Sequence, residues 1–283
     1  MQPLAGKIYF IGAGPGDPSL LTIKAAKVLA KADVVITDRL VSEEILTEYV
    51  NPSAEIIPVG KQGNSSASTS QKEINELLIF YASRYKNVVR LKGGDVSLFS
   101  NVLDELKTVT EAGIAYEIIP GITAISGASA YTGIPLTARE FSTGVRILTY
   151  YQHKAIEEGL WKEMAQFNET LVFYMSGKSV LEVVNKLLQA GADENIPFVV
   201  VEQATTPNQF VHEYTLGNFL VMDDEADFIS PALVIMGKVT SLYQQFSWLP
   251  NGERTSYFTN LEELAKSIAI NNGYQNLSHV SRA

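Results

Sequence analysis

Short apolar runs alternate with amphipathic stretches along the first 120 residues. The apolar run at 7–11 leads into a glycine-rich turn, and apolar positions between 19 and 31 then recur at helical spacing. The order of strand, glycine turn and helix returns at 87–99. Strands that alternate with helices predict a largely parallel α/β sheet in this half. Further strands are predicted at 33–37, 55–59 and 116–119, and helices at 42–49, 70–84 and 123–132.

The second half has fewer helical stretches for each apolar run, which predicts a mixed sheet. We therefore expect an N-terminal α/β domain at 1–119, a C-terminal α/β domain at 120–242 and a tail at 243–283 that is an appendage with one helix. Strands are predicted at 145–150, 170–175, 198–202, 211–215 and 232–236, and helices at 157–165, 179–190 and 260–271.

Composition and charge narrow the function. The chain of 283 residues has 22 Lys and Arg against 31 Asp and Glu, a net charge of −9, which argues against nucleic-acid binding but permits an anionic small substrate. It has no cysteine, and its three histidines are scattered, so no metal site is predicted. No apolar run approaches the roughly 20 residues of a membrane span, and the start lacks a signal-peptide layout. A cytoplasmic enzyme without a membrane partner is expected.

The first glycine turn, GAGPGD at 12–17, departs from phosphate-binding loops. Its third glycine comes one residue too early for a dinucleotide fingerprint, and Pro15 removes an amide that a phosphate would need. A turn without any ligand is the alternative. Two more backbone-rich corners, at 92–95 and 120–124, follow successive strands. Ligands bind at the carboxyl ends of strands in open α/β sheets, so three such corners favour a ligand cleft.

Seven stretches in this order resemble motifs of the tetrapyrrole (corrin/porphyrin) methylases, most closely the uroporphyrinogen-III C-methyltransferases. The resemblance covers residues 7 to about 242, and ungapped blocks such as PGITAISGASAYTGIPLT make it specific. The matching stretches are Ile11–Thr22, Thr37–Val41, Val89–Asp95, Ile119–Thr137, Thr170–Met175, Val201–Gln209 and Pro231–Val239.

The resemblance implies a two-domain homodimer that holds S-adenosylmethionine in a cleft between its domains and releases S-adenosylhomocysteine. A neutral adenine and a sulfonium are suited to backbone groups, small apolar positions and one carboxylate, without a basic cradle. The donor-binding positions that the resemblance implies are Pro15, Gly93, Gly94, Asp95, Leu98, Thr123, Ala124, Met175, Ala204 and Ala232.

The expected acceptor is uroporphyrinogen III, a small-molecule tetrapyrrole rich in carboxylates, methylated at positions 2 and 7 to give precorrin-2 for sirohaem- or cobalamin-type biosynthesis. Such a substrate calls for arginine forks. Arg139 matches a family active-site arginine. Arg39, Lys61 and Lys92 are weaker candidates, for which the alternative is a solvated surface charge, and for the two lysines that alternative is favoured. Asp38 matches a position thought to act in the site, or is only a polar residue at a strand end. Glu105, which keeps the acidic pair of its motif, is a third catalytic candidate.

The sequence departs from the family motifs at positions that are expected to bind the acceptor. Where the family usually has GGDPFIFGRGGEE, this chain has GGDVSLFSNVLDE, so Asn101 replaces an active-site arginine. The loop at 60–69 also lacks a basic residue and a histidine of the family pattern. Three explanations stay open: a true enzyme with cations elsewhere, a sister methylase with another acceptor, or a protein that binds the donor with little turnover. A non-enzymatic interaction module would not need the donor motifs.

Overall fold

The computed structural model describes residues 6–60, 69–150, 156–166, 168–222, 227–259, 263, 264 and 266. These residues form two compact units. The first contains the described residues up to Thr123 together with those from Phe258 onward, and the second lies within Ala124–Tyr257. The domain limits predicted at 119 and 242 stay predictions for the functional domains.

The first unit is built on a five-stranded sheet in which every pairing is parallel, as the alternation of strands and helices predicts. Its strands carry near-continuous apolar runs because helices cover both faces of a parallel sheet. The spatial order is β3-β2-β4-β1-β5. The strands are β1 Lys7–Gly12, β2 Val34–Asp38, β3 Glu55–Val59, β4 Asn87–Lys92 and β5 Ala115–Ile119.

The second unit contains the predicted mixed sheet, with the order β6-β7-β10-β8-β9. Only the β6–β7 pairing is parallel, and the other three are antiparallel. Its core joins the sheet to the helix at Val180–Gln189 through side chains such as Phe173, Val184 and Phe198. The strands are β6 Val145–Thr149, β7 Thr170–Tyr174, β8 Pro197–Glu202, β9 Phe210–Thr215 and β10 Ala232–Met236.

The helix predicted over 19–31 is shorter in the structure. A 3₁₀ turn at Pro18–Leu20 precedes α1, which begins at Ile23 because Thr22 is extended and its Oγ1 accepts from the Ala25 amide at 3.2 Å. The helices at Leu216–Met222 and Tyr243–Phe246 have no counterpart among the predictions. The helices are α1 Ile23–Leu29, α2 Glu43–Glu48, α3 Gln71–Ala82, α4 Val102–Glu111, α5 Ala124–Thr132, α6 Glu158–Gln166, α7 Val180–Gln189, α8 Leu216–Met222 and α9 Tyr243–Phe246.

The described part of the predicted tail does not stand apart from the two units. Residues 243–257 belong to the second unit, and Phe258 is buried in the first. Most of the helix predicted at 260–271 lies outside the described residues. None of the helices within the described ranges is long and apolar enough to cross a membrane.

Candidate functional site

Most of the predicted site residues of the first unit lie at the carboxyl ends of its strands. Because all five strands are parallel, the residues that follow them lie at one edge of the sheet. Pro15 follows β1, Asp38 ends β2, Gly93–Asp95 follow β4 and Thr123 follows β5. Strands β2, β4, β1 and β5 are consecutive neighbours, so the three glycine corners and Asp38 are adjacent along that edge.

The glycine turns after β1 and β4 are hydrogen-bonded to each other. The Gly14 amide donates to the Gly94 carbonyl at 3.1 Å, and the Gly94 amide donates to the Gly14 carbonyl at 2.7 Å. The Ala13 amide donates to the Lys92 carbonyl at 2.8 Å. These amides are already paired within the protein, so the first turn does not offer them to a phosphate.

The main chains of the three glycine corners and their neighbours lie so close together that a side chain would not fit at two of the glycines. A Cβ added to Gly12 would lie 2.6 Å from both the Gly94 carbonyl oxygen and the Gly121 nitrogen. A Cβ added to Gly93 would lie 2.8 Å from the Leu40 carbonyl oxygen. Bare main chain is therefore a packing requirement at this edge, independent of any ligand.

Asp95 ties two of the corners together. Its Oδ2 accepts from the Gly121 amide at 3.0 Å, and its Oδ1 accepts from the Ser97 amide at 2.8 Å. The carboxylate therefore holds the 120–121 corner against the 94–97 turn. It retains further lone pairs for a hydroxyl donor.

A buried ionic network lies beside the predicted catalytic carboxylates. Arg90, only 2% exposed, donates from Nη2 to Asp38 Oδ1 at 2.5 Å and from Nε to Glu105 Oε1 at 3.0 Å. The Lys92 ammonium donates to both Glu105 oxygens, at 3.0 and 3.1 Å. Burial lowers the pKa of Lys92, and the nearby Arg90 charge lowers it further. Asp38 is partly exposed, whereas Glu105 is fully buried.

This placement corrects two candidate roles. Glu105 is 0% exposed and saturated by Arg90 and Lys92, so it does not reach a substrate as a catalytic group. Lys92 is buried with its charge directed at Glu105, so it presents no cation to an acceptor. Lys61 lies outside the described residues.

Arg39 differs from these paired cations. It follows Asp38 and is partly buried, and burial lowers the pKa of its guanidinium while the Asp38 charge opposes that shift. Within the part of the chain that the structure describes, its guanidinium donates no hydrogen bond and forms no ion pair. A desolvated guanidinium without a fixed partner is suited to an anionic ligand.

In the second unit, three predicted donor residues share one edge of the mixed sheet. Met175 follows β7, Ala204 follows β8 and Ala232 begins β10. Since β10 runs antiparallel to both β7 and β8 and lies between them, its start is at the same edge as their ends. Ala124 opens α5, where the next amide, that of Ile125, donates to the Tyr174 hydroxyl at 2.9 Å.

Strained backbone coincides with the predicted site positions. A positive φ is uncommon for residues other than glycine, and such strain clusters at functional sites. One of the residues with positive φ is Met175 itself, and two others flank Ala204. Two more lie one and three positions after Leu98, and the last directly follows Arg139. Within the described ranges these residues are Phe99, Asn101, Glu140, Met175, Gln203 and Thr205.

Arg139 sits in a tight turn of the second unit. The Ala138 amide donates to the Ser142 carbonyl at 3.1 Å, and the Ser142 amide donates back at 2.9 Å. The Arg139 side chain is exposed and makes no ion pair or hydrogen bond with any described residue. Asn101, at the position of the missing arginine, donates instead to Gln71 Oε1 at 3.1 Å.

Comparison with known proteins decides the family. The family model of the tetrapyrrole (corrin/porphyrin) methylases matches residues 7–220. The chain belongs to this family. The siroheme synthase of Acinetobacter baylyi is 43% identical over 244 residues, which are 86% of this chain and 53% of that protein. The chain thus spans about half the length of the curated relatives it matches.

Solved structures agree with the assignment. A uroporphyrin-III C-methyltransferase from Thermus thermophilus has 33% identity and a TM-score of 0.71, over 84% of this chain and 100% of that one. A structure of the T. thermophilus enzyme in complex with S-adenosylhomocysteine has 32% identity and a TM-score of 0.70, over 84% of this chain and 94% of that one. The predicted family, α/β fold class and methyltransferase class are confirmed.

Sequence reasoning missed several supporting residues. Arg90, the partner of Asp38, was detectable as a charge set between the apolar residues 88–89 and Leu91 of a predicted strand. The contacts of Gln203 with Thr255 and of Glu202 with Arg254 were also missed, because nothing in the sequence pairs residues about 50 positions apart. Within the described residues, no cluster of three or more His, Asp or Glu is arranged to hold a metal.

Proposed function

We propose that the chain transfers methyl groups from S-adenosylmethionine to carbon atoms of uroporphyrinogen III, at positions 2 and 7, and so produces precorrin-2. The observation that carries this proposal is the coincidence of the donor motifs with strand-end corners of bare or strained main chain. The family assignment supplies the reaction class, and the relatives supply the candidate acceptor.

The donor-binding positions are the ten that the sequence singles out, from Pro15 to Ala232. When bound, S-adenosylmethionine supplies an electrophilic methyl group on a sulfonium. Asp95, already held by two amides, offers its remaining lone pairs to a ribose hydroxyl or the α-amino group. Glycine and alanine positions let main-chain groups approach a ligand without steric hindrance.

The acceptor's carboxylates need cations that the protein has not already neutralised. Arg139 and Arg39 meet this condition among the described residues, whereas Arg90 and Lys92 do not. We assign carboxylate binding to Arg139 first and to Arg39 second. Asp38, oriented by Arg90, is the candidate for a polar contact with the ring or for accepting its proton.

One observation favours a second candidate function. The uncharged Asn101 replaces a family arginine and its amide is bound to Gln71. A sister methylase that uses a tetrapyrrole with fewer or differently placed carboxylates would not need that arginine. The homodimer, the cytoplasmic location, the cleft between the halves and the absence of a nucleic-acid partner stay predictions.

The decisive experiment combines binding and mass analysis. Calorimetry with S-adenosylhomocysteine tests the donor site, and incubation with uroporphyrinogen III and S-adenosylmethionine under anaerobic conditions tests the acceptor. Product masses increased by one and two methyl groups support the proposal. Donor binding without any mass gain supports the sister methylase or a protein that binds the donor with little turnover, and no donor binding overturns all three.

A further inference from the structure

Residues 248–257, which we call the strap, pack along the loop at 203–209 in the second unit. This loop contains Ala204 and part of the motif Val201–Gln209. The strap lies beyond residues 7–220, the part that the family model matches. The Gly252 amide donates to the Gln209 carbonyl at 2.7 Å, and Asn251 Oδ1 accepts from the Val211 amide at 2.8 Å.

The strap passes so close to the loop that one position must be glycine. A Cβ added to Gly252 would collide with the Pro207 carbonyl oxygen and lie 2.9 Å from the Asn208 Cα. Both groups are backbone, so neither moves aside without displacing the loop. Asn208 also donates from Nδ2 to the Thr255 carbonyl and hydroxyl, each at 3.0 Å.

The strap also stabilises strained backbone around Ala204. Gln203 and Thr205 both have positive φ, at 47° and 70°. Such conformations are unfavourable for residues other than glycine and persist only where surrounding contacts define them. The buried Gln203 carboxamide donates to the Thr255 carbonyl at 2.8 Å and accepts from the Tyr257 amide at 2.7 Å.

An ion pair anchors the strap at the end of β8. Arg254 donates from Nη2 to Glu202 Oε1 at 3.0 Å, and Glu202 is fully buried. The same Nη2 donates to the Asp227 carbonyl at 3.0 Å. Arg254 therefore neutralises a buried carboxylate two residues before Ala204.

We propose that the strap positions the 203–209 loop for donor binding, with Gly252 and Arg254 as positioning residues that do not touch the donor. The inference rests on the proposed function, because Ala204 is a donor-binding position only there. If the strap acts in this way, disturbing it weakens donor affinity more than it affects the acceptor.

The test compares two glycine substitutions in the full-length protein. Gly252→Ala inserts a methyl group against loop backbone, whereas Gly159→Ala places the same group where nothing lies within 4 Å. We expect S-adenosylhomocysteine to bind Gly252→Ala about tenfold more weakly, which corresponds to about 1.4 kcal/mol, and to bind Gly159→Ala as tightly as the wild type. The KM for S-adenosylmethionine should rise while the KM for the acceptor stays within about twofold.

A second pair of variants decides the matter if Gly252→Ala does not fold. Arg254→Ala should weaken S-adenosylhomocysteine binding, and Arg254→Lys should restore part of the affinity because it keeps the charge beside Glu202. Arg146→Ala, which removes ion pairs to Glu163 and Glu169 on another edge of the same unit, is the matched control.

The binding results distinguish a failure of the strap's role from a failure of the proposed function. Wild-type affinity for S-adenosylhomocysteine in Gly252→Ala or in folded Arg254→Ala overturns the strap's role, and so does an equal loss in Arg146→Ala. If the wild type itself does not bind S-adenosylhomocysteine, the proposed function fails first. Calorimetry of the wild type therefore separates the two failures.

Discussion

At the scale of single residues, ion pairing within the protein distinguishes the roles of residues of the same type. Arg90 and Arg139 are both arginines beside family motifs, but Arg90 is buried between Asp38 and Glu105 whereas Arg139 is exposed and unpaired among the described residues. A paired guanidinium has little left to offer a ligand. An unpaired one can bind a carboxylate in a bidentate manner.

Replacing Arg139 by alanine should impair use of the acceptor and leave donor binding unchanged. A hydrogen bond to a charged group contributes about 1.5–3 kcal/mol, so kcat/KM for the acceptor should fall about 10- to 100-fold. Arg84→Ala, which removes an exposed arginine just after the end of α3, is the control and should change neither quantity. A parallel loss of affinity for S-adenosylhomocysteine in Arg139→Ala would contradict the assignment.

Glu105 should matter for stability because its carboxylate is the hydrogen-bond partner of the Lys92 ammonium. Glu105→Gln leaves a buried cation without its counter-charge, and breaking a buried pair in this way costs about 3–5 kcal/mol of unfolding free energy. Asp104→Asn, at the exposed neighbouring position, is the control and should change stability little. Chemical denaturation at pH 7 measures both.

The pH dependence of Glu105→Gln has a definite sign. Burial already lowers the pKa of Lys92 below its ordinary 10.5, and removing Glu105 lowers it further. Between the Lys92 pKa of the variant and that of the wild type, both below 10.5, the folded variant binds fewer protons than the folded wild type. Its unfolding free energy should therefore rise, relative to the wild type, as pH increases through that window. If the difference in unfolding free energy between Glu105→Gln and the wild type does not change with pH, the loss of stability does not arise from the Lys92 charge.

At the scale of elements, local hydrogen bonds decide where helices begin. Ser70 Oγ accepts from the Glu73 amide at 3.2 Å while Glu73 Oε2 accepts from the Ser70 amide at 2.6 Å, and the two bonds form a capping box at the start of α3. Ser42 precedes α2 in the same way but makes no capping bond, and its buried hydroxyl has no hydrogen-bond partner among the described residues.

The same substitution at these two serines should have different effects. Ser70→Ala removes a cap and should lower the unfolding free energy by about 1 kcal/mol. Ser42→Ala removes a buried hydroxyl that has no partner, so it should leave stability unchanged or raise it. Thermal or denaturant unfolding of both variants measures the contrast, and equal losses would mean that the side chains act through packing.

At the scale of the whole molecule, donor binding should stabilise the folded chain. A ligand that binds only the native state at a concentration 100 times its Kd adds about 2.7 kcal/mol to the unfolding free energy. S-adenosylhomocysteine should therefore raise the Tm in proportion to the logarithm of its concentration. Adenosine, which lacks the amino-acid part, is the control and should shift the Tm less; no shift with either compound contradicts the donor site.

The sequence by itself determined the pattern of elements, the family and the donor motifs, because local periodicity and contiguous blocks such as VRLKGGD carry that information along the chain. It could not determine which charges are neutralised. Arg90 meets Asp38 across 52 positions, and Arg254 meets Glu202 across another 52. Only tertiary structure brings such residues together, since burial and pairing depend on neighbours that are remote in sequence. That is why Glu105 and Lys92 changed from site candidates to buried partners, and why the start of the predicted tail proved to be a strap beside Ala204.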